Sequence, residues 1–369
     1  MTMQIDMHYY GTYAMARAAG LSREAAGIIA TAAQYVDDNV QKDPVVLKDG
    51  ARLARTPTAH HVGDLISNVE PDDQRNVWVP FHFLPGNESG AGGDADYTEL
   101  LKCRKDSEPA RQMVDVVVAR SGLDPYALER VGVTAHVLAD TYSHFGFSGV
   151  SSRRNSVQNG SFRFKGIEPG LADRLKGKAK AFFERHGDET KFLANVKSWV
   201  AETATNSLGH GSVATYPDLP YLSWGFDYEF PKRVPEDRSN PDNFLEACAA
   251  LYDMFVRVCA ERPDFTEGTA RPFAEIMDNI VAILAVKGDS AERSDAWKKA
   301  AQAGKLFSQA EEIPAYQGEA WTQWLEQANQ KVDARKALEH PACRFHMAAN
   351  AHRSWVLHEL LPTRNLLIA

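Results

Sequence analysis

One segment of the chain concentrates the residue types that hold metal ions. Between Arg130 and Phe147 it places His136, Asp140 and His144 at four-residue intervals. On a helix of 3.6 residues per turn each such step advances only about 40°, so the three side chains share one face. Imidazole nitrogen and carboxylate oxygen suit zinc and related divalent ions. The three positions span about two turns, roughly 12 Å, which is long for one ion. Two neighbouring ions with Asp140 between them fit better. Val133, Ala135, Val137 and Leu138 flank the face, and polar groups buried among such neighbours are costly without a partner.

Four further clusters carry the same chemistry. Asp6 and His8 open the chain beside Tyr9, Tyr10 and Tyr13, whose density implies packing rather than a solvated tail. Asp37 and Asp38 end a helical stretch, where acids oppose the helix dipole and call for a compensating cation, a metal or a lysine. His60 and His61 are adjacent, with Asp64 close by. His210 lies between two glycines, followed by Asp218. His82, between Phe81 and Phe83, is a weaker candidate. His186, His340, His346, His352 and His358 read as surface or core histidines, because six-residue spacing does not keep one helix face.

The elements that must position these groups are mainly helical. Ser22 caps an alanine-rich run to about residue 40. A second helix is expected at 97–120, and a third starts from Asp124-Pro125 and runs to about 144. Others are expected at 168–186, 189–208, 242–261, 267–287, 291–303, 317–338 and 343–360. Strand-like alternation is confined to 76–83, where Pro80 opposes it. Long segments at 42–96, 146–166 and 209–240 border the histidines and read as walls of a site. The fold class is therefore all-α: a multi-helix bundle with long loops around a central metal cleft. The chain reads as a single domain over 1–369, with a C-terminal helical subdomain from 241 as the alternative.

Composition narrows the function. A net charge of −8 and a pI near 5.9 argue against broad nucleic-acid binding, which needs a basic footprint. Cys103, Cys248, Cys259 and Cys343 form no C-x-x-C pair and read as reduced thiols. No run of about 18 apolar residues suggests a transmembrane helix. The N-terminal segment has no signal-peptide pattern, which predicts a cytoplasmic protein.

The order of these residues resembles the zinc-dependent phospholipase C and single-strand nuclease superfamily, and also an uncharacterised bacterial family near it. It covers about residues 5–220: an early His, an acid some thirty residues on, another His, a helical His-x-x-x-Asp, and later histidines. The resemblance implies an all-α enzyme that binds three metal ions, usually zinc, and hydrolyses phosphate esters. On it, His8 matches the early ligand, Asp37 or Asp38 the bridging carboxylate, and His60 or His61 the next histidine. His136 and Asp140 match the helical pair, His144 the histidine after it, and His210 the late one. Three features depart from the pattern. Asp6 stands where the superfamily uses a terminal amino group, the interval from Asp140 to His144 is short, and position 214 is Ala where an acid is usual, leaving Asp218 to serve.

The expected function is a metal-dependent hydrolase of a small-molecule or lipid-like phosphoester. Two or three divalent ions, zinc or else manganese or iron, would activate water, with Asp37 or Asp38 orienting or deprotonating it. Arg52, Arg55, Arg153 and Arg154 would hold phosphate oxygens. The rival readings are a metal hydrolase of another substrate class and a non-enzymatic protein with a structural or vestigial metal site.

Overall fold

Alanine-rich sequence lets two helices meet closely at the centre of the molecule. The computed structural model of the chain describes residues 4–60, 73–86, 97–158, 160–168, 170, 177, 213, 215–230 and 234–368. A π-helical turn, Asp6–Gly11, runs directly into α1, Thr12–Ala18. Helix α2, Arg23–Asp38, is capped by the Ser22 hydroxyl, which accepts from the Ala25 amide. Its buried face is Ala25, Ala26, Ile29, Ala30, Ala32 and Ala33. Helix α3 spans Glu108–Arg120 and α4 spans Ala127–His144. Helix α4 is enclosed on nearly every side, against α2, α3, α5 (Asn240–Glu261) and α10 (Pro341–Trp355). Between these last two come α6, Phe273–Leu284, α7, Ser290–Gln302, α8, Gly318–Ala328, and α9, Ala334–Leu338. One apolar core joins Met7 and Tyr13 to Phe244, Phe255, Val356 and Ile368.

The chain is mostly helical, but the expectation of an all-α fold needs correction. Strands β3 (Arg163–Lys165), β4 (Ser223–Tyr228) and β5 (Val234–Ser239) form an antiparallel sheet in that order. A two-residue ribbon pairs β1, Val45–Val46, with β2, Arg52–Leu53. Trp224, Phe226 and Tyr228 alternate along β4 and are buried with Phe147, Phe83 and Tyr216. That period of two is the signature of a strand, and the aromatic segment is sheet packed on the core rather than loop.

Helix boundaries moved where proline and turn residues dictate. Residues 74–81 are helical, as the π-helical Gln74–Trp78 followed directly by Val79–Phe81, with Pro80 accommodated at the start of the second piece. The helix expected at 97–120 divides into Tyr97–Leu100 and α3, which Ser107 caps and Pro109 opens. Asp124 does not cap α4; its carboxylate takes Arg120 and Arg130 instead. Pro272 delays α6 to Phe273, and a break with Gln330 at φ 59 separates α8 from α9. The helices expected at 168–186 and 189–208 lie almost wholly outside the described residues. Among those described, no helix is long and apolar enough to cross a membrane.

Gly132 sets the α2–α4 distance. A Cβ there would lie 2.5 Å from the Ile29 carbonyl oxygen and 2.6 Å from the Ala32 Cβ. Alanine gains about 1 kcal/mol of helix propensity, but backbone cannot yield as a side chain can, and overpacking costs about 1–3 kcal/mol or more. Gly132→Ala should therefore lower stability by about 1–2 kcal/mol. Urea unfolding checks this; an unchanged or raised midpoint would mean that the two helices have slack.

Candidate metal centre

Five side chains from four elements converge beside α4. The π-helical turn supplies His8, the end of α2 supplies Asp37, and the residue after Val79–Phe81 supplies His82. The middle of α4 supplies His136 and Asp140. His8, His136 and Asp140 have ligand atoms within 4.8 Å of one another, and so do Asp37, His82 and His136. All are buried except Asp37, whose side chain is 12% exposed.

Backbone carbonyls fix how the imidazoles face. His136 Nδ1 donates to the Ala33 carbonyl and His82 Nε2 to the Thr58 carbonyl, each at 2.8 Å. In the neutral ring the other nitrogen must then be a bare lone pair. For His136 that atom, Nε2, lies 3.1 Å from Asp140 Oδ2 and 3.1 Å from His82 Nδ1. For His82 it is Nδ1, 3.2 Å from the same Asp140 oxygen. Lone pairs aimed at a carboxylate repel it unless a proton or a metal ion stands between. Carbonyl acceptors behind ligand histidines are the usual outer shell of metal sites.

The two carboxylates divide their oxygens in the same sense. Asp140 presents Oδ1 to His8 Nε2 at 3.2 Å and Oδ2 to His82 and His136. Asp37 presents Oδ2 to His8 Nε2 at 3.9 Å, and Oδ1 to His82 Nδ1 at 3.9 Å and His136 Nε2 at 3.8 Å. The rings of His8 and His136 stack with centroids 3.9 Å apart. Asp140 Oδ1 and both His8 nitrogens make no hydrogen bond.

The electrostatics follow from this crowding. Burial, then the neighbouring His136, pushes His8 down to about 4. Burial likewise pushes His82 down to about 4. Burial also works against charge on His136, yet the carboxylates of Asp140 and Asp37 hold its pKa above the ordinary value. Burial would raise Asp140, but His144 and His136 keep it well below the usual carboxylate range.

His144 borders the cluster, with Nδ1 3.5 Å from Asp140 Oδ2. Its Nδ1 donates to the His82 carbonyl at 2.8 Å, and its Nε2 points at Asp218 Oδ1, 3.9 Å away. Other expected ligands are not in the cluster. Asp6 is held by Arg293, with Oδ2 2.8 Å from Nε, because its neighbour but one in the π-helical turn already faces α4. Asp38 turns about 100° from Asp37 on the helix and accepts from the Tyr316 hydroxyl at 2.5 Å. His60 has its Nε2 3.8 Å from Asp73 Oδ2. His61 and His210 lie outside the described residues. Of the loop arginines, Arg154 pairs with Glu99, Arg153 lies over the Phe230 ring, and Arg55 reaches Gln41; Arg52 sits on β2. His82 is the central residue that sequence reasoning undervalued. A helical reading of 74–82 would have raised it, by placing Trp78 and His82 on one face.

The adjacent acids give a sharp test. Asp37→Asn should weaken divalent-ion binding at least tenfold, a scale of about 10–100-fold being seen even for outer-shell partners. Asp38→Asn should leave it near wild type. Calorimetric titration with zinc and manganese reads both; equal effects would contradict the assignment.

Comparison with curated proteins and with solved structures found no match. One family model, described as a family of unknown function (DUF6765), matches residues 3–360, a span that includes all five clustered side chains, and the chain belongs to that family.

Proposed function

We propose that the chain is a metal-dependent hydrolase of phosphoesters, with a dinuclear centre in which Asp37 and Asp140 each bridge two divalent ions. The observation that carries this reading is the division of carboxylate oxygens between His8 on one side and His82 with His136 on the other. An imidazole nitrogen has one lone pair and cannot serve two ions, whereas a carboxylate can. One ion would take His8 and an oxygen from each acid. The second would take His82, His136 and the other two oxygens. The 3.9 Å stacking of His8 on His136 accords with the spacing of about 3.5–4 Å typical of two-metal hydrolytic sites. Zinc fits a nitrogen and oxygen donor set, as do manganese and iron.

Three protein ligands leave the first ion a position for water, which such ions acidify to a pKa of about 7. Asp37, the one partly exposed member, marks the side from which water and substrate arrive. Bound cations would also reverse the field of an acidic protein and admit an anionic phosphoester. A structural metal site is the second reading, favoured by the complete enclosure of His8, His82, His136 and Asp140.

Elemental analysis of the purified chain, with His136→Ala and Asp140→Ala beside it, tests the centre. At least two equivalents of a transition metal should be present and be lost in both variants. Hydrolysis of bis(p-nitrophenyl) phosphate should vanish on chelation and return with zinc or manganese. Metal without turnover of any phosphoester would favour the structural reading; no metal would end both.

A further inference from the structure

Residues 303–317, between α7 and α8, form neither helix nor strand, yet hydrogen bonds hold them along their length. Towards the middle, the buried Glu311 carboxylate accepts from the Tyr13 hydroxyl at 2.9 Å and from Arg17 Nε and Nη2 at 2.9 and 2.7 Å. At the far end, the Tyr9 hydroxyl donates to the carbonyls of Pro314 and Ala315, at 3.0 and 3.2 Å. The Tyr316 hydroxyl donates to Asp38 Oδ2 at 2.5 Å, a charge-assisted bond of the short, strong kind. The rings of Tyr9 and Tyr316 meet edge to face with centroids 5.3 Å apart.

The two residues gripped at that end each follow a member of the cluster: Tyr9 follows His8, and Asp38 follows Asp37. Both members sit where their own element gives little support. His8 lies in a π-helical turn, and neither of its nitrogens makes a hydrogen bond. Asp37 is the last residue but one of α2, at an end where helices fray. His82 and His136, by contrast, are braced by the Thr58 and Ala33 carbonyls. The 3.9 Å between His8 Nε2 and Asp37 Oδ2 is thus set by two backbones, and the link from Tyr9 through Tyr316 to Asp38 spans them. Gly318, the first residue of α8, makes room for this link. A Cβ there would lie 2.0 Å from the Tyr316 hydroxyl oxygen and 2.2 Å from its Cζ.

We propose that Tyr316 is a positioning residue of the metal centre. By joining Asp38 to the segment that Tyr9 grips, it fixes His8 relative to Asp37 and so governs the ion that those two would share. The ion on His82 and His136 keeps Asp140 and two braced imidazoles, and depends on the link far less. The inference rests on the dinuclear reading above. It gives the irregular segment a role beyond connecting two helices, and it makes the absence of a side chain at Gly318 part of the site.

Cobalt(II) titration of the full chain, read by visible d–d absorbance with the urea midpoint measured alongside, tests it. Wild type should bind two equivalents, and His8→Ala should identify the one that depends on His8. Tyr316→Phe removes the donor, and Gly318→Ala displaces the phenol without removing it. Each should weaken the His8-dependent equivalent by about 10–100-fold and alter its d–d band, with the other equivalent changed far less. Asp38→Asn keeps an acceptor oxygen for the phenol and should keep both equivalents. Folded Tyr316→Phe and Gly318→Ala chains that bind both equivalents as wild type does would overturn the proposal and leave the dinuclear centre standing. So would loss of both equivalents in step with the urea midpoint, which would assign Tyr316 to the fold alone. A wild-type chain that binds one equivalent or none would overturn the dinuclear reading and this role with it.

Discussion

Two carboxylates and the lone pairs of histidines face one another in a space that water barely reaches. Like charges brought together away from water repel strongly. Each desolvated ion adds several kcal/mol more. Asp140, with His8, His82 and His136 around it, is stable only if positive charge is supplied at the point they share. Protons can supply some of it. Divalent ions supply more, and fit donors whose outer nitrogens are already spent on backbone carbonyls.

Much of the architecture serves that convergence. Helices α2 and α4 must touch backbone to backbone for Asp37 to reach the face of His136 and Asp140, and the absence of a side chain at Gly132 permits it. The Ala33 carbonyl that orients His136 comes from the same contact. The π-helical turn brings His8 across the gap while the Asp6–Arg293 pair anchors its outer side to α7. His82 depends on two strangers in sequence, its ring on the Thr58 carbonyl and its own carbonyl on His144. The site is thus over-determined from several directions, which is how closely packed like groups are kept from relaxing apart.

The sequence made part of this legible and concealed the rest for identifiable reasons. Helical spacing placed His136 and Asp140 on one face of a buried helix, and they lie there. The same spacing put His144 on that face, and its Nδ1 does lie 3.5 Å from Asp140 Oδ2, while its Nε2 points on towards Asp218. Asp6 and Asp38 had the right chemistry and the wrong direction. One is taken by Arg293 and the other by Tyr316, residues about 280 positions away that no local pattern links to them. His82 was obscured by a strand-like run that is in fact helical from Gln74 and takes Pro80 near its end. The sheet was readable from the alternation of Trp224, Phe226 and Tyr228, but prolines and the spacing of its strands in the chain made it look like loop.

The five clustered side chains are not equivalently held, and in the proposed centre that asymmetry would divide two roles. His82 and His136 are locked by carbonyls behind them, and with four donor atoms their ion would be nearly closed. His8 has no hydrogen-bond partner at Nδ1, so its ring is held by its stacking on His136. Its ion would keep three protein donors. A closed ion beside an open one would separate a holding role from a reacting role within the proposed centre. Asp37, the partly exposed member, stands between the cluster and solvent. In the proposed centre it would be the carboxylate placed to take a proton from water.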